Sequence, residues 1–196
     1  MSYIFSLLST AVLVGIVQNL VFSGGLGASE ALRMSVKPKL LLEFSVFISL
    51  FSVVLSVSCF FLDTIPEFNE LNLYYHYISY IGILIVLYII SVLIALIFKA
   101  SKSLISRLAV AAFNTLVLAV PMINRLSGFT VYEAVGSGLG AGAAFGFAVL
   151  LMNISAKRIK ENDDIPEAFK GSPALFIYAA LISLGLYALS GRALLI

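Results

Sequence analysis

Tryptophan is absent from this 196-residue chain, cysteine and histidine occur once each, and charged residues make up only 11% of it. Each shortage excludes something. The single cysteine, Cys59, cannot close an intrachain disulfide; between Val57-Ser58 and Phe60-Phe61 it reads as a packing residue. His76, with no second histidine and no further cysteine to join it, completes no metal site. The net charge of +2 is small and the basic residues fall between apolar runs, so nucleic-acid binding has no support. A soluble fold is excluded as well. Hydrophobic residues reach 61% and mean hydropathy is +1.10, which leaves too little polar surface to cover the rest.

What the chain does have is six stretches without charge: 1–29, 44–62, 71–98, 108–124, 134–156 and 171–191. Their lengths run from 17 to 29 residues, and an α-helix needs about 20 to cross a hydrocarbon core roughly 30 Å thick. The expected fold class is an all-α integral membrane protein, one domain over 1–196 with six transmembrane helices. The N-terminus lacks a basic region and a small-residue cleavage site, so residues 1–22 read as a retained first span.

Loop charge orients the spans. Arg33, Lys37, Lys39, Lys99, Lys102, Arg107, Lys157, Arg158, Lys160 and Lys170 all fall on one side. The other side holds Arg125 and Arg192, with the acidic Asp63, Glu67 and Glu70. Cytoplasmic loops carry the Lys/Arg excess, which places both termini outside. Loop 63–70 is then an external turn and segment 157–172 a cytoplasmic loop. Tyr74, Tyr75, Tyr77 and Tyr80, with His76 among them, fit an interfacial aromatic belt at the outer end of span 3.

Three spans one way and three back make the halves, about 1–98 and 99–196, inverted repeats. In such proteins a matched pair of short or interrupted spans marks the working site. Spans 1 and 4 fit. Span 1 is broken at Ser23-Gly24-Gly25-Leu26-Gly27, just after Gln18-Asn19; span 4 is the shortest, carries Asn114-Thr115 near its middle and ends at Pro121. Asn19 and Asn114 either serve that site through freed backbone groups or only hold helices together by hydrogen bonds. Span 5 carries Gly136, Gly138, Gly140, Gly142 and Gly146, a pattern for close helix approach or a subunit contact rather than a nucleotide loop. Glu30 and Glu43 lie at membrane boundaries, where a carboxylate belongs to an ion path or is solvated or lysine-paired.

Several of these residues also carry a family likeness. Asp164-Ile-Pro-Glu-Ala-Phe-Lys-Gly171, followed by Leu184-Gly-Leu-Tyr-Ala-Leu-Ser-Gly191, resembles the C-terminal pattern of the six-span subunits of Rnf and Nqr complexes. Val17-Gln-Asn-Leu-Val21 with Leu26-Gly27 is similar to that family's first span, and Phe113-Asn114 to its fourth. Within the family the chain most resembles the A subunit of Rnf, equivalent to the E subunit of Nqr. The resemblance implies an ion-translocating electron-transport complex in the cytoplasmic (inner) membrane of a bacterium or archaeon. The implied partners are a homologous six-span subunit, the complex's other subunits and the lipid bilayer.

In the family, a cysteine after Leu-Gly-x in span 1 and another after Asn in span 4 share a 2Fe–2S cluster with the partner. Here those positions hold Ser29 and Thr115, beside Gly27 and Asn114. Hydroxyls are poor ligands for a cluster that needs thiolate. The expectation is therefore a subunit with no catalytic residue, no metal site and no cluster of its own. The alternative is a redox-inactive paralogue serving as a small-solute or ion permease or as an assembly partner.

Overall fold

A computed structural model of the chain describes residues 2–36 and 38–189. Lys37 and Arg192, used above for orientation, and Ser190-Gly191 of the C-terminal motif lie outside the described residues. Among the described residues there is no strand. The chain runs through α1 (Ser2–Val12), a π-helical turn (Leu13–Val17), α2 (Leu20–Gly24), α3 (Ala28–Val36) and a 3-10 turn (Pro38–Leu40). It continues through α4 (Leu41–Asp63), α5 (Pro66–Asn69), α6 (Leu73–Ile97), α7 (Lys102–Ala112), α8 (Thr115–Leu126), α9 (Val131–Glu161) and α10 (Ser172–Leu189).

Four segments are long and apolar enough to cross a membrane: Pro38–Asp63, Leu73–Ile97, Lys102–Leu126 and Val131–Glu161. Tyr3–Val17 and Ser172–Ala188 are apolar but shorter. The outward faces agree with a lipid setting. Along α6, Ile81, Ile85, Ile89, Leu93 and Ile97 are all exposed, a face with no partner among the described residues.

The core is built around α9, which packs most extensively on α4 and then on α1. Its glycines divide between the two neighbours. A Cβ at Gly140 would come within 2.8 Å of Ala11 O on α1, and one at Gly138 within 2.7 Å of Val53 Cα on α4. Gly136 abuts Leu7 of α1, and Gly142 abuts Ser45 and Ser49 of α4. The run Gly136–Gly146 is therefore a two-sided packing seam, the close helix approach expected of it. Phe145, Ala148, Val149 and Met152 extend this core with α4's Phe44, Ile48, Phe51 and Leu55.

Three boundaries differ from the sequence reading, each for a physical reason. α8 does not end at Pro121; it continues to Leu126 with that proline buried inside it. Span 4 is not short once α7 is joined to it, because Lys102 and Arg107 sit at its polar end and the segment, broken at Phe113-Asn114, continues as α8 to Leu126. α9 likewise extends past the last apolar residue to Glu161, placing Arg158 and Lys160 in its last turn, where cations suit the helix dipole.

Candidate functional site

The two interrupted spans meet each other, and the interruption in span 1 is double. Helix α1 loosens into the π-helical turn and stops at Gln18-Asn19, before the expected glycine run. Asn19 then caps α2. Its side-chain oxygen accepts from Val21 N–H at 3.1 Å and Phe22 N–H at 3.3 Å. Its amide nitrogen donates to Gly15 O at 3.1 Å and to Ala144 O of α9 at 3.0 Å. Asn19 is 0% exposed, with its hydrogen-bonding capacity filled. The second break, between α2 and α3, uses Gly25 and Gly27 at φ of 66° and 72°, a conformation glycine adopts without strain.

Span 4 breaks at Phe113-Asn114. Asn114 caps α8, its oxygen accepting from Leu116 N–H at 2.9 Å. Asn114 is 4% exposed, and its amide nitrogen has no partner. The two breaks join at one hydrogen bond: Gly27 N–H donates to Thr115 Oγ1 at 2.8 Å. A Cβ at Gly27 would fall 2.6 Å from Asn114 Oδ1, so glycine is required there twice over. Thr115 opens α8 and Ser29 lies in the first turn of α3; both are exposed. Ser29 borders a surface hollow of about 600 Å³ with Arg33, Ser172 and Phe176. The structure thus brings Asn19, Gly27, Ser29, Asn114 and Thr115 to two consecutive breaks in span 1 and the facing break in span 4.

Glu30 and Glu43 are each ion-paired. Glu30 pairs with Arg33 at 2.6 Å within α3. Glu43 pairs with Arg107 Nε of α7 at 2.8 Å, an arginine rather than the neighbouring Lys39. Ser103 accepts from the same guanidinium at 2.6 Å.

A polar cluster at the other end of α4 was missed from the sequence. Asp63 Oδ1 lies 2.9 Å from His76 Nδ1 and 3.1 Å from Arg125 Nη1, while Oδ2 accepts from the Tyr80 hydroxyl. His76 and Tyr80 are buried, which separates them from the exposed Tyr74 and Tyr75 of the expected belt. Their separation of one helical turn puts both on the same inward face of α6, and that spacing was the available signal. Beside them Ser137 Oγ donates to Asn124 Oδ1 at 2.6 Å.

An all-helical chain with several membrane-length apolar helices and two facing broken segments is, in class, a polytopic membrane protein built around helix interruptions. Residues 5–193 match the family described as Rnf-Nqr subunit, membrane protein, and the chain belongs to that family. It is 32% identical over 84 residues to the A subunit of the proton-translocating ferredoxin:NAD(+) oxidoreductase complex of Clostridium ljungdahlii, covering 43% of each chain. It is 35% identical over 79 residues to the A subunit of the ion-translocating oxidoreductase complex of Aromatoleum aromaticum, covering 40% of each. Against the corresponding protein of Colwellia psychrerythraea it is 37% identical over 79 residues, again 40% of each. The matched stretch spans about two-fifths of the length of these curated relatives.

Proposed function

We propose that this chain is a membrane subunit of an Rnf/Nqr-type ion-translocating electron-transport complex that holds no iron–sulfur cluster ligand of its own. In this reading its six spans form two inverted halves with both termini outside. A homologous six-span partner docks over the two breaks. Family membership and the names of the similar proteins support the setting. The observation that carries the reading is the contact between the breaks, where Gly27 N–H meets Thr115 Oγ1 with Ser29 and Thr115 left exposed.

The donor set at that contact does not fit a cluster. Thiolates ligate such iron, whereas both positions present hydroxyls, and Thr115 Oγ1 already accepts a backbone hydrogen bond. The lone thiol, Cys59, is 1% exposed within α4 and belongs to neither break. The same pair of hydroxyls favours a second reading, a redox-inactive paralogue that keeps the scaffold as a permease or assembly partner.

Cross-linking tests the partner. In a Cys59→Ser background, Thr115→Cys or Ser29→Cys is treated with a short bifunctional thiol–amine reagent in native membranes. The proposal expects one discrete adduct with another polytopic subunit, identified by mass spectrometry. Discrete adducts that form only with a soluble protein, or no adduct while the family's other subunits are present, would count against it.

A further inference from the structure

The polar cluster at the Asp63 end of α4 is separate from the contact between the breaks, and it contains the chain's single histidine. Asp63 receives three donors, from His76, Tyr80 and Arg125. Asp63 Oδ1 already accepts from the Arg125 guanidinium, so the imidazole nitrogen facing that oxygen is the one that bears hydrogen, which assigns the hydrogen of neutral His76 to Nδ1. Nε2 is then a bare lone pair. It is buried, with His76 0% exposed, and it has no partner. A buried polar atom without a partner calls for a reason, and a neutral imidazole backed by a carboxylate is a base awaiting a proton.

Water can reach the Asp63 carboxylate of this cluster. Asp63, 16% exposed at its side chain, lines a cavity of about 470 Å³ together with Ser56, Asn124 and Arg125. Ser56 Oγ and Asn124 Nδ2 are buried in its wall without hydrogen-bond partners, which supplies the polar groups that ordered water needs. The charged and titratable groups around His76 are few. Among the described residues, α4 contributes Asp63 and Cys59, α6 itself Tyr80, and α8 Arg125, while α5, which carries Glu67 and is followed by Glu70, sets the Phe68 ring 4.5 Å from the imidazole. Phe113, which follows α7, meets α6 at Tyr88, about 18 Å along the helix from His76.

We propose that His76 is a proton-binding site in which the incoming proton competes with Arg125 for Asp63. The proton adds at Nε2, and the Nδ1–H stays on Asp63 Oδ1. No other bond forms or breaks, and the net charge of Asp63, His76 and Arg125 goes from 0 to +1. The imidazolium and the guanidinium then converge on one oxygen. Arg125 is the one able to yield: its side chain is 20% exposed, and its other tie is a 3.3 Å bond to Asn69 O. It sits in the last turn of α8, the helix that begins at Thr115, so its release would free the far end of the helix that forms the span 4 break.

A single histidine makes the test direct. The full-length chain, purified without a histidine tag and labelled with ¹⁵N-histidine, is placed in lipid nanodiscs and its imidazole nitrogens are read by NMR at pH 8.5 and pH 5. The proposal expects the neutral Nδ1–H form at the higher pH and the imidazolium at the lower. Removing one nearby positive charge with Arg125→Gln should raise the imidazolium-to-imidazole ratio about tenfold at an intermediate pH. An Nε2–H form at pH 8.5 would overturn the proposal. So would an imidazole that stays neutral at pH 5 in both proteins, or a ratio indifferent to Arg125→Gln. The wild-type reading alone decides the first point should the variant fail to fold.

Discussion

The breaks capped by Asn19 and Asn114 use the same residue type in the same capping role, yet only one of them is finished. Asn19 is sealed: two backbone donors, two backbone acceptors and full burial, with one bond reaching across to α9. Asn114 caps its helix with one bond and leaves its amide nitrogen unpaired beside the Gly27 turn. In hydrocarbon an unpaired donor is costly, so the sealed break fits the scaffold, and the buried unpaired nitrogen of the other fits the junction proposed above to receive a partner. The exposed Ser29 and Thr115 border the open break and not the sealed one.

Stability measurements can break this contrast. Cys59 is buried, so a thiol-reactive fluorophore reports unfolding of the native chain during a thermal scan. The largest effect is expected for Asn19→Leu, which strands Val21 N–H and removes the donor to Gly15 O and Ala144 O, and should cost about 3 kcal/mol. Gly27→Ala combines a left-handed backbone with a close approach to Asn114 and should cost about 1–2 kcal/mol. Asn114→Ala removes a single cap bond, about 1 kcal/mol. Thr115→Val, which deletes the acceptor for Gly27 N–H, should cost about 0.5–1 kcal/mol, with Thr115→Ser close to wild type. A larger loss for Asn114→Ala than for Asn19→Leu would reverse the assignment of sealed and open.

The membrane class and the locations of most helices were legible because charge is expensive in lipid, and runs without it stand out. The helix ends were less so, for the same reason. Reading a charge as the edge of a span cut off the first turns of α7 at Arg107, whose guanidinium bonds Glu43, and the last turns of α9 through Lys160. The first break was placed at the glycines because glycine is a visible punctuator. The earlier interruption at Gln18-Asn19 depends on Asn19 finding Ala144 in a distant helix, which no local pattern announces. The Asp63 cluster was hidden in a different way. Its members come from three separate stretches, and each had an adequate local meaning as an outer-loop charge or a belt aromatic. Only the fold shows that they share one carboxylate.

The central proposal, that this chain frames a junction of broken helices with no iron–sulfur cluster ligand of its own, is tested most directly by iron. The chain is purified with its native partner subunits, and iron per complex and visible absorbance are measured for wild type, Ser29→Ala and Thr115→Ala. The account predicts the same iron content and spectrum in all three. Loss of iron and of the associated absorbance in either variant would show that these hydroxyl positions hold a cluster, and would contradict it.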